Sequence, residues 1–353
     1  MSTWIICSDL HLTSEAVDEY RWGVFPFLTE KIQELSAGAK TLFILGDLAQ
    51  QKDYLTAKLV NRLVWALVNL YRSTGLHKII ILRGNHDGVD GKVAFFEFLN
   101  TLAFIKVVTV PEITSLDLRR IALLPHTKTP SADWAALDFA KCKYIFMHAT
   151  APGAIAESGT VLEGDKEIAF LKDVSYQARI LSGDVHVPQR IGKIEYIGAP
   201  YPIRFGDDFE GRILVLQGMK ELEWHYPTIR KVMARIRTGE DLNKYHLRPK
   251  DQVNVIIQLK PEEGHLWIPY KEAALAWFSA RKIEVVSIGL EYPKLKLRLK
   301  GQSTSPDLAA LKHQQNPMVS LEKYCQKGQV VEETAETGKF LLKKATTRLR
   351  FRR

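Results

Sequence analysis

Cysteine is scarce in this chain: Cys7, Cys142 and Cys325 are the only three among 353 residues. An odd number at such wide spacing excludes a disulfide framework and a thiolate metal cage, and it fits a reducing cytoplasm. Long apolar runs are missing as well. No stretch approaches the ~18 uncharged apolar residues that a membrane helix requires, and Met1-Ser2-Thr3 leads directly into a short apolar run, so neither a membrane span nor an export leader is expected. Internal repeats are also absent.

What is present is material for more than one domain. The chain is 46% hydrophobic, enough for a sizeable core, and its length suggests about two domains. Its net charge of +9 is unevenly spread. Residues 1–225 carry 24 Lys and Arg against 27 Asp and Glu, residues 226–300 carry 15 against 8, and residues 301–353 carry 10 against 5. The first part is therefore slightly acidic and the rest basic, a split that suits a polyanion docking on the second half.

Five islands in the first 186 residues place hard ligands at the ends of apolar runs. Trp4-Ile5-Ile6-Cys7-Ser8 ends in Asp9-Leu10-His11, and Leu42-Phe43-Ile44-Leu45 ends in Gly46-Asp47. Ile79-Ile80-Ile81-Leu82 runs through Arg83 into Gly84-Asn85-His86-Asp87. Ile145-Phe146-Met147 ends in His148, and Ile180-Leu181-Ser182 ends in Gly183-Asp184-Val185-His186. Such runs, separated by helical stretches, are the pattern of strands buried on both faces. Their ligands would gather in the crevice beyond the carboxyl ends of the strands. Carboxylate, amide and imidazole together suit a pair of manganese or similar divalent ions. Two cations about 3.5 to 4 Å apart can clamp the attacking and leaving oxygens of a displacement at phosphorus, and a shared carboxylate between them relieves their repulsion.

The series resembles the calcineurin-like metallophosphoesterase superfamily, whose signature runs Asp-x-His, Gly-Asp, Gly-Asn-His-(Asp/Glu), a lone His, and Gly-His-x-His. Within it the chain is similar to the SbcD type of double-strand-break nuclease, through Gly84-Asn85-His86-Asp87, Gly198-Ala199-Pro200 and Arg204-Phe205-Gly206-Asp207. One position departs from the pattern: Asp184 stands where the superfamily has His. The resemblance implies that Asp9, His11 and His186 hold one metal and Asn85, His148 and Asp184 the other, with Asp47 bridging. It leaves His86 as general acid, with Asp87 as its orienting partner. The extra carboxylate shifts the expected preference towards Mn²⁺ or Mg²⁺.

The same resemblance implies an α/β fold: a two-sheet sandwich flanked by helices (1–226), a small α/β capping domain on DNA (227–300), and a linker with a helical partner-binding segment and basic tail (301–353). Helical spacing covers Phe25–Ala37 and Leu55–Ser73, the latter with Leu59, Leu63, Leu67 and Leu70 as a core stripe. Hairpin-like strands at Gln189–Ile191, Ile194–Ile197, Ile213–Gln217 and Leu222–His225 are expected to complete the second sheet. The cap has strand candidates at Val253–Leu259, Ile283–Leu290 and Leu295–Leu299, with a helix at Pro269–Ala280. Lys294, Lys296, Arg298 and Lys300 alternate and so point to one face, a candidate tracker of a DNA backbone.

The function this implies is a two-metal DNA nuclease acting on double- and single-stranded DNA, with an SbcC-like coiled-coil ATPase as partner and a second copy as a further one, cellular or viral. Two other readings stay open. One is a small-molecule phosphodiesterase or phosphatase of the same superfamily, although Gly46-Asp47 runs into Leu48-Ala49-Gln50-Gln51 and lacks the acid and arginine usual in protein phosphatases. The other is a catalytically silent DNA-binding scaffold.

Overall fold

A computed structural model describes residues 2–292, apart from 37, 53, 90–92, 135, 166–167, 169–170, 172–177 and 238. The first sheet follows directly from the apolar runs. Strands β1 (Thr3–Cys7), β2 (Lys40–Ile44), β3 (Lys78–Leu82) and β4 (Ile105–Val108) lie parallel in that order. Helices α1 (Val24–Gln33) and α2 (Ala57–Thr74) come between the first three. The Thr56 side chain caps α2 by accepting from the Leu59 amide at 3.2 Å, and Gly75 ends the helix with φ at +64°. The predicted stripe of Leu59, Leu63, Leu67 and Leu70 is buried.

The second sheet holds β5 (Glu112–Leu116), β6 (Arg119–Leu124), β7 (Tyr144–His148), β8 (Arg179–Gly183), β9 (Gln189–Ile191) and β10 (Ile194–Tyr196) in the order β9-β10-β8-β7-β6-β5. Strands β11 (Ile213–Gln217) and β12 (Lys220–Trp224) do not complete this sheet as expected. They join the first, with β11 antiparallel to β1. Strand periodicity gives a face but not a partner, so the sequence pattern could not choose between the sheets.

Alternation along each strand divides the core into layers. In β1, Ile5 and Cys7 face the helices while Trp4 and Ile6 face the second sheet. The layer between the sheets is centred on Trp4, Phe43 and Phe146, whose Phe rings stack at 4.3 Å.

A third, all-parallel sheet comprises β13 (Lys231–Ile236), β14 (Gln252–Gln258) and β15 (Glu284–Glu291), with α3 (Trp267–Ala280) packed on it through Ala274 and Phe278. The predicted strands at 253–259 and 283–290 and the helix at 269–280 correspond to β14, β15 and α3. Strand β13 was not foreseen: its Lys231 and Arg235 hide the apolar alternation. Lys231 is nevertheless buried, because its ammonium meets Asp18 at 2.6 Å, beside Arg21. The candidate strand at 295–299, the row Lys294, Lys296, Arg298 and Lys300, and the helical stretches beyond 301 lie outside the described residues. No described helix is long and apolar enough to cross a membrane.

Candidate metal centre

The five islands meet at the carboxyl ends of β1, β2, β3, β7 and β8. The backbone there is unusual. Asp9, His11, Asp47 and Asp184 have φ of +54°, +42°, +54° and +80°, the left-handed region that non-glycine residues enter at a cost. Each turns sharply off a strand end and throws its side chain into the crevice. Two glycines are required by the closeness of the turns. A Cβ at Gly46, itself at φ +93°, would run into the His148 ring, and one at Gly84 would strike the Asp47 carboxylate and amide.

The side chains converge closely. The Nε2 atoms of His11 and His186 are 3.0 Å apart, and His11 Nε2 is 3.4 Å from Asp47 Oδ2. On the other side of Asp47, Oδ1 lies 3.4 Å from His148 Nε2, which is 3.6 Å from Asp184 Oδ1. Asn85 Nδ2 donates to that same Asp184 oxygen at 3.1 Å. Asp9, His11 and His186 form one set with ligand atoms within 4.8 Å; Asp9, Asp47 and His148 form another; His11, Asp47 and His86 a third.

The buried polar atoms of this cluster without a hydrogen-bond partner include Asp9 Oδ2, His11 Nδ1, Asn85 Oδ1 and His148 Nε2. Each such atom costs about 1–3 kcal/mol if left bare. His148 Nδ1 donates to the Leu45 carbonyl at 2.7 Å, so Nε2 is the nitrogen it turns to the crevice. Burial pushes the Asp47 carboxyl well above its ordinary range, and the nearby Asp87 and Asp9 charges add to it while His148 opposes. At Asp184 burial is outweighed by His148 and by the Thr150 hydroxyl, so this carboxyl is held low and ionised. Bare acceptors, buried anions and facing imidazole nitrogens are the donor set that divalent cations satisfy.

A model of the calcineurin-like phosphoesterase family matches residues 3–188, just over half of the chain and all five islands. The chain belongs to that family. It is a metal-dependent phosphoesterase with a two-sheet α/β sandwich. A search of curated proteins returns no match. Among solved structures, the protein of unknown function AQ665 from Aquifex aeolicus aligns at 18% identity over 56% of this chain and 90% of its own, with a TM-score of 0.30. A likeness at that level bears on neither fold nor activity.

In this phosphoesterase the seven predicted ligands and His86 all come together, and Asp47 reaches towards both halves of the cluster as a bridging residue must. The expected contact between Asp87 and His86 is absent. Asp87 is turned inward, where its oxygens accept from the amides of Leu48 at 2.9 Å and Gly84 at 2.9 Å, fastening the two ligand turns together. A short side chain three positions from Gly84 reaches that turn's own amide more readily than it reaches the ring beside it. His86 is oriented instead by the Gln50 carbonyl, 2.6 Å from its Nδ1. Burial brings the His86 ring down to about 4, against the pull of that carbonyl.

Over the cluster lies a cleft of about 290 Å³, lined by His11, Asp47, Asn85, His86, Asp184 and His186 and rimmed by Lys52 and Arg204. The Arg204 turn is fixed by Asp207, whose Oδ2 accepts from the amides of Ile203 and Arg204 at 2.8 and 2.7 Å. His126 is mostly buried beside His148, with ring centroids 6.1 Å apart. Sequence reasoning missed Lys52, Gln50, Thr150 and Glu157. They sit in loops with no periodicity, and the only signal was their closeness in sequence to a ligand, which Glu157 lacks.

Proposed function

We propose that this phosphoesterase is a nuclease of the SbcD type that hydrolyses phosphodiester bonds in double- and single-stranded DNA with two divalent ions, Mn²⁺ or Mg²⁺. The observation that carries this reading is the pairing of the ligand cluster with two exposed cations, Lys52 and Arg204, on the rim of one cleft. A single phosphomonoester would need only the cluster, whereas a strand also presents neighbouring phosphates for the rim to hold. The basic excess beyond residue 225, with Lys294, Lys296, Arg298 and Lys300 as backbone trackers, adds affinity for a polyanion.

When bound, the two ions supply positive charge at the reacting phosphate and activate water towards a pKa of roughly 7. The chain's own residues do the rest. Lys52 and Arg204 bind the flanking phosphates. Because a carbonyl only accepts, Gln50 keeps Nδ1 of His86 protonated and leaves Nε2, 4.0 Å from Asp47, facing the cleft. Burial favours the neutral ring, and the negative charge of a bound phosphodiester favours the imidazolium, whose second proton, on Nε2, goes to the leaving oxygen. An SbcC-like ATPase on the C-terminal segment, and a second copy of the chain, complete the proposed assembly.

The test is a substrate panel on the full chain with Mn²⁺, Mg²⁺ or chelator: end-labelled duplex, single-stranded DNA, and the small esters bis-p-nitrophenyl phosphate and p-nitrophenyl phosphate. Metal-dependent, salt-sensitive DNA cleavage is expected. Hydrolysis of the small esters with intact DNA would assign the chain to small-molecule chemistry.

A further inference from the structure

His186 is the last ligand of the series, and the partner of its outer nitrogen comes from a loop that carries no motif. The Glu157 carboxylate closes on His186 Nδ1. It is mostly buried there, with its side chain 14% exposed.

The loop is built to hold that contact. Its two arms pair through Ile155 and Val161, and Leu162 donates to the Ala154 carbonyl at 2.7 Å. The Gln189 side chain, three residues after His186, accepts from the Ile155 amide at 2.8 Å and donates to the Ile155 carbonyl at 2.7 Å. One amide therefore clamps the loop two residues before Glu157. At the root, the Tyr196 hydroxyl accepts from the Ala151 amide at 2.6 Å.

We propose that Glu157 is a positioning residue for the metal held by Asp9, His11 and His186. Its carboxylate keeps the proton of His186 on Nδ1, so that Nε2 offers a lone pair to the point it shares with His11 Nε2, 3.0 Å away. A carboxylate behind an imidazole also makes the ring a stronger donor, and losing such a partner weakens metal binding about 10–100-fold. Glu157 is not one of the predicted ligands and would act through His186, although it also lines the cleft. The assignment rests on the two-metal reading above.

The experiment is calorimetric titration of Mn²⁺ into the metal-free full chain, with the melting temperature of the metal-free protein measured alongside. Glu157→Gln keeps the shape and loses the charge; Glu157→Leu loses charge and acceptor. Wild type is expected to bind two ions. Glu157→Gln should weaken one of them about 10-fold and Glu157→Leu up to about 100-fold, leaving the other site and the metal-free melting temperature unchanged. Gln189→Leu, which frees the loop, should weaken the same site by less. Variants that bind both ions as wild type does would overturn the proposal. So would equal loss at both sites with a lower metal-free melting temperature, which would make Glu157 a fold residue. A wild type that takes up no Mn²⁺ would instead overturn the two-metal reading itself.

Discussion

At the scale of single residues, the ligand set was legible because chemistry restricts it: only a few side chains can face a dication, and they recur at strand ends. What the sequence could not supply was their support. Asp87 looked like a partner for its neighbour His86, yet it fastens the Leu48 and Gly84 amides. Glu157 gave no sign at all. Asp184 is the most informative single position. Its two oxygens are engaged by Asn85 and Thr150, and it faces His148 at 3.6 Å. Asp184→Ala is therefore expected to lose one metal and most activity. Asp184→His should rebuild the usual motif and keep activity while moving preference from Mn²⁺ and Mg²⁺ towards zinc and cobalt. Metal content and turnover, measured on both variants, decide the matter: full activity with two ions in Asp184→Ala would make the residue a bystander.

At the scale of elements, runs such as Ile79–Leu82 announced their strands, while pairing partners and charged strands stayed hidden. β11 and β12 were placed in the wrong sheet for the first reason, and β13 was missed for the second. The structure also shows what ties the two sheets at one edge. Glu195 of β10 accepts from Arg179 of β8 at 2.7 Å, from Arg190 of β9 at 3.1 Å, and from Arg212, just before β11, at 3.1 Å. Arg179 and Arg212 reach onward to Glu221 and Glu223 of β12, at 2.6 Å each. Burial alone would raise the Glu195 carboxyl, but the Arg179 bond and charge, with Arg212 and Arg190, hold it below its ordinary 4.5. A depressed folded-state pKa gives stability that is complete above the unfolded value and lost as pH falls through the folded one. Glu195→Gln should therefore cost on the order of 2 kcal/mol at pH 7. In urea unfolding followed from pH 7 downwards, the gap to wild type should narrow below 4.5. A gap independent of pH would mean that packing, not charge, accounts for the loss.

At the scale of the whole molecule, the order of the five islands was enough to foresee the sandwich and the crevice where its ligands meet. The third sheet was legible only in part, because short basic strands resemble solvated surface. On the proposed nuclease reading, the acidic ligands of the first part hold cations and the basic excess beyond residue 225 adds affinity for a polyanion. The central claim is that two ions in this cleft, with His86 as proton donor, cleave DNA. His86 lies within ligand reach of His11 and Asp47, so its role must be measured apart from metal binding. The most direct measurement is DNA turnover in chelator-stripped protein as Mn²⁺ is titrated, with bound metal counted at each point, in wild type and in His86→Ala. The account predicts that wild-type cleavage reaches its plateau at two ions per chain, and that His86→Ala binds the same two while losing about a hundredfold to ten-thousandfold of the rate. Cleavage in the stripped protein, or His86→Ala binding two ions and cutting DNA at the wild-type rate, would contradict it.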